Sequence, residues 1–242
     1  MKQLGLSMKM YAMESENEMY PPLAPIDDLW VFDLTTMYPE YLSDLRILVS
    51  YKDPDREELV VELQAMKESG EIDWDRVHRI AAKRYVYFPW AVTNTTDFSA
   101  LVEAREGMSD TEYDSDLELG DERFYRLREG IERFLVTGDG SVSTGESGAT
   151  EGTVFIPEAG DADAVDGSEE LFLDPGLSAR VQSDVMVLME TDVTWEFRGY
   201  DGSNTLYMDG HVEFRDGSDE SAWINDVMAA FYPDGVPTVE AR

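Results

Sequence analysis

Apolar residues recur at i, i+4 and i+7 in the opening segment, where Leu4, Met8 and Tyr11 share one helical face. Leu6, Met10 and Met13 widen that stripe, so the spacing predicts an amphipathic helix over residues 2–16. Glu14, Glu16 and Glu18 crowd its C-terminal end against the helix dipole, and Pro21-Pro22 forbids continuation. A second helix is predicted from Arg56 to Ser69, with Asp55 as N-cap, Glu58 at capping-box spacing and Gly70 as terminator. Asp73 then caps a third through Trp74, Val77, Ile80 and Ala81. His78 falls within it, beside Arg76 and Arg79, and reads as a surface or boundary residue.

Period-two patterning marks the strands. In residues 84–93, Val86, Phe88, Trp90 and Val92 alternate with Tyr85 and Tyr87, and Pro89 assigns the run to a sheet edge. Trp30, Phe32 and Leu34 give a shorter alternation within the loop-rich stretch 22–55. Val185–Met189 and Thr194–Phe197 read as strands. Thr205 and Tyr207 alternate with Leu206 and Met208, and the pattern resumes through Val212, Glu213 and Phe214. Asp209-Gly210 between these runs predicts a hairpin, with Gly210 supplying the positive φ of a tight primed turn. A short helix is expected to about Glu106, a polar loop over 107–120, and a helix from Gly120 or Asp121 to Val136. Phe124, Leu127, Ile131, Phe134 and Leu135 form the inward face of that helix. Residues 138–170 read as a flexible acidic insertion, and Asp219 caps a last helix carrying Trp223, Val227 and Phe231. The pattern describes one α+β globular domain over residues 1–242.

Charge narrows the function. Asp and Glu total 52 against 19 Lys and Arg, a formal net charge of −33. Such a surface repels phosphate backbones, which argues against nucleic-acid partners and against unanchored binding to an anionic membrane. Saline surroundings or divalent-cation binding would each account for the acidity. Arg123, Arg126, Arg128 and Arg133, with Arg105 and Lys83 nearby in sequence, make up about a third of the 19 basic side chains, for pairing with carboxylates or for docking an acidic neighbour.

Catalytic chemistry finds little footing. With two histidines and no cysteine, a serine triad lacks its nucleophile elbow, and a zinc site lacks ligands. No phosphate-binding loop or dinucleotide fingerprint occurs. No catalytic residues are assigned, and a carboxylate-based hydrolase is a distant alternative. Asp114, Asp116, Glu118 and Glu122 are the candidate metal ligands, for calcium, with Asp161, Asp163 and Asp166 as a second run. Neither is an EF-hand, since Leu119 stands where the first run needs glycine, and a solvated acidic loop is the default reading of both. An extracellular module that holds a glycan or peptide, through calcium or a cleft of Trp30, Trp90, Trp195 and Trp223, is the alternative function.

A resemblance favours a different reading. Residues 202–214, "GSNTLYMDGHVEF", resemble the C-terminal signature of a bacterial prepilin-like family with an H-X9-DG motif. Residues 1–23, "MKQLGLSMKMYAMESENEMYPPL", resemble the segment after the membrane-spanning half of that family's first helix. Residues 37–55, 84–94 and 123–137 also resemble family segments, in the expected order. The chain departs at Gly199, where the motif has its histidine, at Ser50, where relatives often carry cysteine, and in lacking an apolar anchor before Lys2. The resemblance implies a pilin-like fold: an N-terminal helix on an antiparallel sheet, with helical insertions and a long acidic loop. It implies a structural subunit of a type II secretion or type IV pilus-like assembly, with other pilin-like subunits as partners and no cofactor. Its motif hairpin would be Asn204, Asp209, Gly210 and His211. Location in the cell envelope or outside it is implied if an anchor precedes Met1 in the precursor, and the cytoplasm if Met1 is the true start.

Overall fold

The computed structural model describes residues 1–26, 29–50, 53–91, 101, 115–119, 122–131, 135, 175–190 and 202–216. The predicted elements at 96–106, 138–170, 194–197 and from Asp219 onward lie outside these, Leu101 excepted.

Helix α1, Lys2–Glu14, buries Leu4, Gly5, Ser7, Met8 and Ala12. It ends at Ser15, whose N–H returns to Tyr11 O at 2.9 Å, and left-handed Asn17 and Glu18 then reverse the chain. Leu6, Met10 and Met13 do not widen the buried face. They sit on the opposite side, 63%, 45% and 73% exposed. At 100° per residue they centre about half a turn from Leu4 and Met8.

Helix α2, Leu34–Met37, is a single turn capped by Asp33, and α3, Arg56–Ser69, matches its predicted bounds. Gly70 terminates α3 at φ +74°, returning its N–H to Met66 O at 3.1 Å. The predicted capping box is not formed: Asp55 has a backbone outside the extended region and its side chain makes no cap bond. Helix α4, Trp74–Ala82, is capped as expected, Asp73 accepting from Arg76 N at 3.1 Å. Its His78 is buried, not at the surface.

Strands β1 (Tyr85–Tyr87), β4 (Met186–Glu190), β5 (Gly202–Tyr207) and β6 (Val212–Asp216) form an antiparallel sheet in the order β1-β4-β5-β6. Helix α5, Pro175–Asp184, leads directly into β4. Register places Tyr87, Leu188, Leu206 and Val212 in one cross-strand row, with Val86, Met189, Thr205 and Glu213 in the adjacent row on the other face. Met189 and Thr205 are as buried as Leu188 and Leu206, so both faces of the two central strands are covered. Pro89 follows β1 at the sheet edge, as its missing N–H requires.

Where a helix was predicted from residue 121, the chain makes a second hairpin of β2 (Leu117–Leu119) and β3 (Glu122–Phe124). Phe124, Leu127, Ile131 and Leu135 are buried as predicted, Phe124 from a strand and Leu127 from the segment after it, whereas Leu135 is helical, its N–H reaching Ile131 O at 3.3 Å. The apolar positions set burial, while bridges of Arg126 to Trp90 and Arg128 to Met19 pull the backbone into extended form.

Candidate assembly face and the polar sites around it

Helix α1 packs beside α2 and meets β5 at Gly5. A Cβ at that position would stand 2.9 Å from Leu206 Cδ2, so glycine lets the helix backbone settle onto β5. The sheet is polar where β4 ends and β5 begins. Buried Arg84 pairs with Glu190, Asn204 Nδ2 donates to Glu190 Oε2, and Ser203 Oγ donates to Glu190 O. Asn204 thus partners a partly buried carboxylate.

At the other end of β5, Gly210 N–H closes a turn onto Tyr207 O at 2.9 Å, and Gly210 has φ +89°. Among the described residues only Asn17 and Glu18 are non-glycine residues with positive φ, so Met208 and Asp209 are not left-handed. The connection is a three-residue loop in which glycine follows the turn, rather than the expected two-residue primed turn. Met208 N–H also donates to Val185 O and Asp209 N–H to Gln182 O, tying the loop to the end of α5. Asp209 Oδ1 accepts from His211 N at 2.8 Å and lies 2.6 Å from His211 Nδ1. The His211 ring stacks on Tyr207 with centroids 4.4 Å apart. Asp209 and His211 are exposed enough to be solvated, and every contact they make stabilises the loop.

The second histidine sits in a different setting. His78 Nε2 accepts the N–H of Leu34 at 2.9 Å and lies 3.4 Å from Asp33 Oδ1. The shorter contact uses the Nε2 lone pair, which puts the proton of the neutral ring on Nδ1, a buried atom with no partner. Burial pushes the Asp33 carboxyl up, but the hydrogen bonds that its Oδ1 accepts from Thr35 N and Oγ1 favour the charged form and hold it below its ordinary value. The Thr35 bonds act in that direction whichever nitrogen of His78 is protonated.

Arg126 is the third polar feature, and sequence reasoning missed its role. Its guanidinium is fully buried and donates to Pro89 O at 2.7 Å, Tyr20 O at 3.1 Å and Pro21 O at 2.6 Å. Tyr87 Oη also donates to Pro21 O, at 2.7 Å. One side chain therefore ties the segment after α1 to the segment after β1. The signal was present as an arginine between apolar Phe124 and Leu127, in a chain poor in basic residues. Arg126 and Arg128 consequently point their chemistry inward, not toward a docking neighbour.

Of the proposed calcium ligands, Asp116 is the one whose side chain is described. Asp116 Oδ1 accepts from Arg126 N at 2.8 Å and pairs with Arg128 Nη2. In the β2–β3 register Glu118 stands opposite Arg123 and Glu122 opposite Leu119. Asp114 and the run Asp161, Asp163, Asp166 lie outside the described residues. Among the described residues no three acids or histidines are placed to hold a metal. The aromatic cleft also dissolves for its described members: Trp30 and Trp90 are buried core residues in edge-to-face contact at 6.3 Å. Trp195 and Trp223 lie outside the described residues.

Among the described residues no helix is long and apolar enough to cross a membrane. Comparison with family models, with curated proteins and with solved structures finds no match to this chain.

Proposed function

We propose that this chain is a non-enzymatic structural subunit, resembling a pseudopilin or minor pilin of a type II secretion or type IV pilus-like assembly. The observation that carries the reading is the placement of α1. Gly5 brings it against Leu206 of β5, and its outer face offers Leu6, Met10 and Met13 to solvent. A leading helix set against a sheet strand, with an apolar stripe left over, suits a domain that works by packing against other subunits. The ordered resemblance of the sequence segments supports the same reading, and the Asp209-Gly210 hairpin closes the sheet that α1 meets.

On this reading the partners are pilin-like subunits and assembly proteins, and the site is the cell envelope or the exterior. A membrane would be reached only through a helix upstream of Lys2. The polar clusters then serve stability: Asp209 and His211 shape a loop, Glu190 and Asn204 close the sheet end, and Arg126 locks two segments together.

The test is assembly. A precursor carrying an apolar anchor of about 20 residues ahead of Lys2 is co-expressed with a pilus-type assembly system, and sheared surface fractions are probed for it. Incorporation into filaments, or cross-links to other pilin-like subunits through α1, is expected. A precursor that reaches the membrane yet stays monomeric and uncross-linked sinks the proposal.

A further inference from the structure

The outer face of α1 carries its charges in an unusual order. Lys2 is exposed in the first turn, Lys9 is half-buried at the side, Glu14 ends the helix, and Glu16 and Glu18 follow in the turn beyond it. No acid stands in the first turn and no base in the last. Each end thus carries the sign that the helix dipole disfavours, since a dipole is positive at the N-terminus and negative at the C-terminus. Between the ends lie Leu6, Met10 and Met13, spaced i, i+4, i+7 and exposed.

We infer that this stripe is the interface of an antiparallel dimer of two copies of this chain. The inference goes beyond the assembly reading and does not require it, because it concerns the isolated chain in solution. Charge order selects both the partner and the direction. In a parallel two-fold pair Lys2 would face Lys2 and Glu16 would face Glu16. In an antiparallel pair each basic end meets an acidic end, and the two helix dipoles also align favourably. Reversing one helix about its middle sets Leu6 opposite Met13 of the second copy, with Met10 beside the two-fold axis against the Lys9 stem. Lys2 then faces the Glu16–Glu18 turn. The pairing is isologous, so it closes at two copies. Three apolar side chains per copy fall short of the ~800 Å² per partner of a stable interface. The dimer is therefore weak and concentration-dependent, and the net charge of −33 on each copy opposes it at low salt.

The absence of cysteine makes the test direct. Sedimentation of the full chain is measured from micromolar to millimolar concentration in 0.5 M salt, where the Debye length is about 4 Å. Single variants Leu6→Cys and Met13→Cys, distinguishable by a mass tag, are then oxidised alone and mixed. A concentration-dependent dimer, abolished by Met10→Glu with an unchanged melting temperature, is expected. So is a disulfide formed between the two different variants at least tenfold faster than Leu6→Cys with itself. A chain monomeric throughout the range overturns the inference, as does preferential Leu6→Cys self-linkage, which reports a parallel pair. Neither result bears on whether an anchored precursor enters filaments, so the two proposals fail separately.

Discussion

Both histidines of the chain stand beside an aspartate, and the two pairs do opposite jobs. In the pair Asp209–His211 the aspartate lies in the three-residue loop and the histidine directly follows it, both reached by solvent, and the aspartate organises the turn. In the pair Asp33–His78 the partners come from α2 and α4, 45 positions apart in a buried junction. The exposed pair shares its contacts with water, so losing one partner exposes nothing that water cannot satisfy. The buried pair holds the first N–H of α2, where a vacated acceptor leaves a polar group stranded. Identical residue types therefore differ in consequence because of desolvation and loop closure, not because of their own chemistry.

The largest effect is expected at His78. His78→Ala removes a buried ring and the acceptor for Leu34 N–H, and should cost about 3 kcal/mol, from cavity and hydrogen-bond terms together. Chemical denaturation measures it, and a loss below ~1 kcal/mol would put His78 in the same category as His211.

Asp33 comes next and carries a pH signature. Its carboxyl is held low in the folded state, while an unfolded aspartate titrates near ~3.9. A depressed folded value means that its contribution is complete above the unfolded value and disappears as pH falls through the folded one. Asp33→Asn keeps the capping oxygen but not the charge. It should cost about 1 kcal/mol at pH 7, and the gap from the parent chain should close between roughly pH 5 and pH 2. A gap that stays constant over that range would show that the charge of Asp33 contributes nothing.

What sequence pattern could reveal follows the same division between local and long-range causes. Helix α3, the Asp73 cap of α4, the edge position of β1 and the β5–β6 hairpin all rest on neighbours in the chain, and they stand where periodicity put them. The segment from Glu122 does not, because its conformation depends on bridges to Trp90 and Met19. Its apolar spacing was read correctly for burial and wrongly for element type, since Phe124, Leu127 and Ile131 fit either geometry in outline. On α1 two apolar stripes fit a helix equally well, and only the sheet beneath Gly5 decides which faces inward. His78 was legible in principle: Trp74, Val77, His78 and Ala81 fall at i, i+3, i+4, i+7, which places the ring on the apolar face of α4. The Arg126 contacts were not legible, because their carbonyl partners at residues 20, 21 and 89 are set by tertiary approach alone.

The exposed pair should yield the smallest losses. Asp209→Ala removes an acceptor for the His211 N–H in the loop and should cost about 0.5–1 kcal/mol. His211→Ala removes a stacked, half-exposed ring. The main-chain bond from residue 211 to Asp209 Oδ1 survives the substitution, and so do the Gly210 turn and the ties of Met208 and Asp209 to α5. Only the Tyr207 stack and the contact at Nδ1 are lost, both beside solvent. The expected change is therefore within about 0.5 kcal/mol, with the same denaturation midpoint to within error. A loss at His211 approaching that at His78 would break the contrast. It would mean that the Tyr207 stack, rather than burial of the sheet below, holds the end of β5 in place.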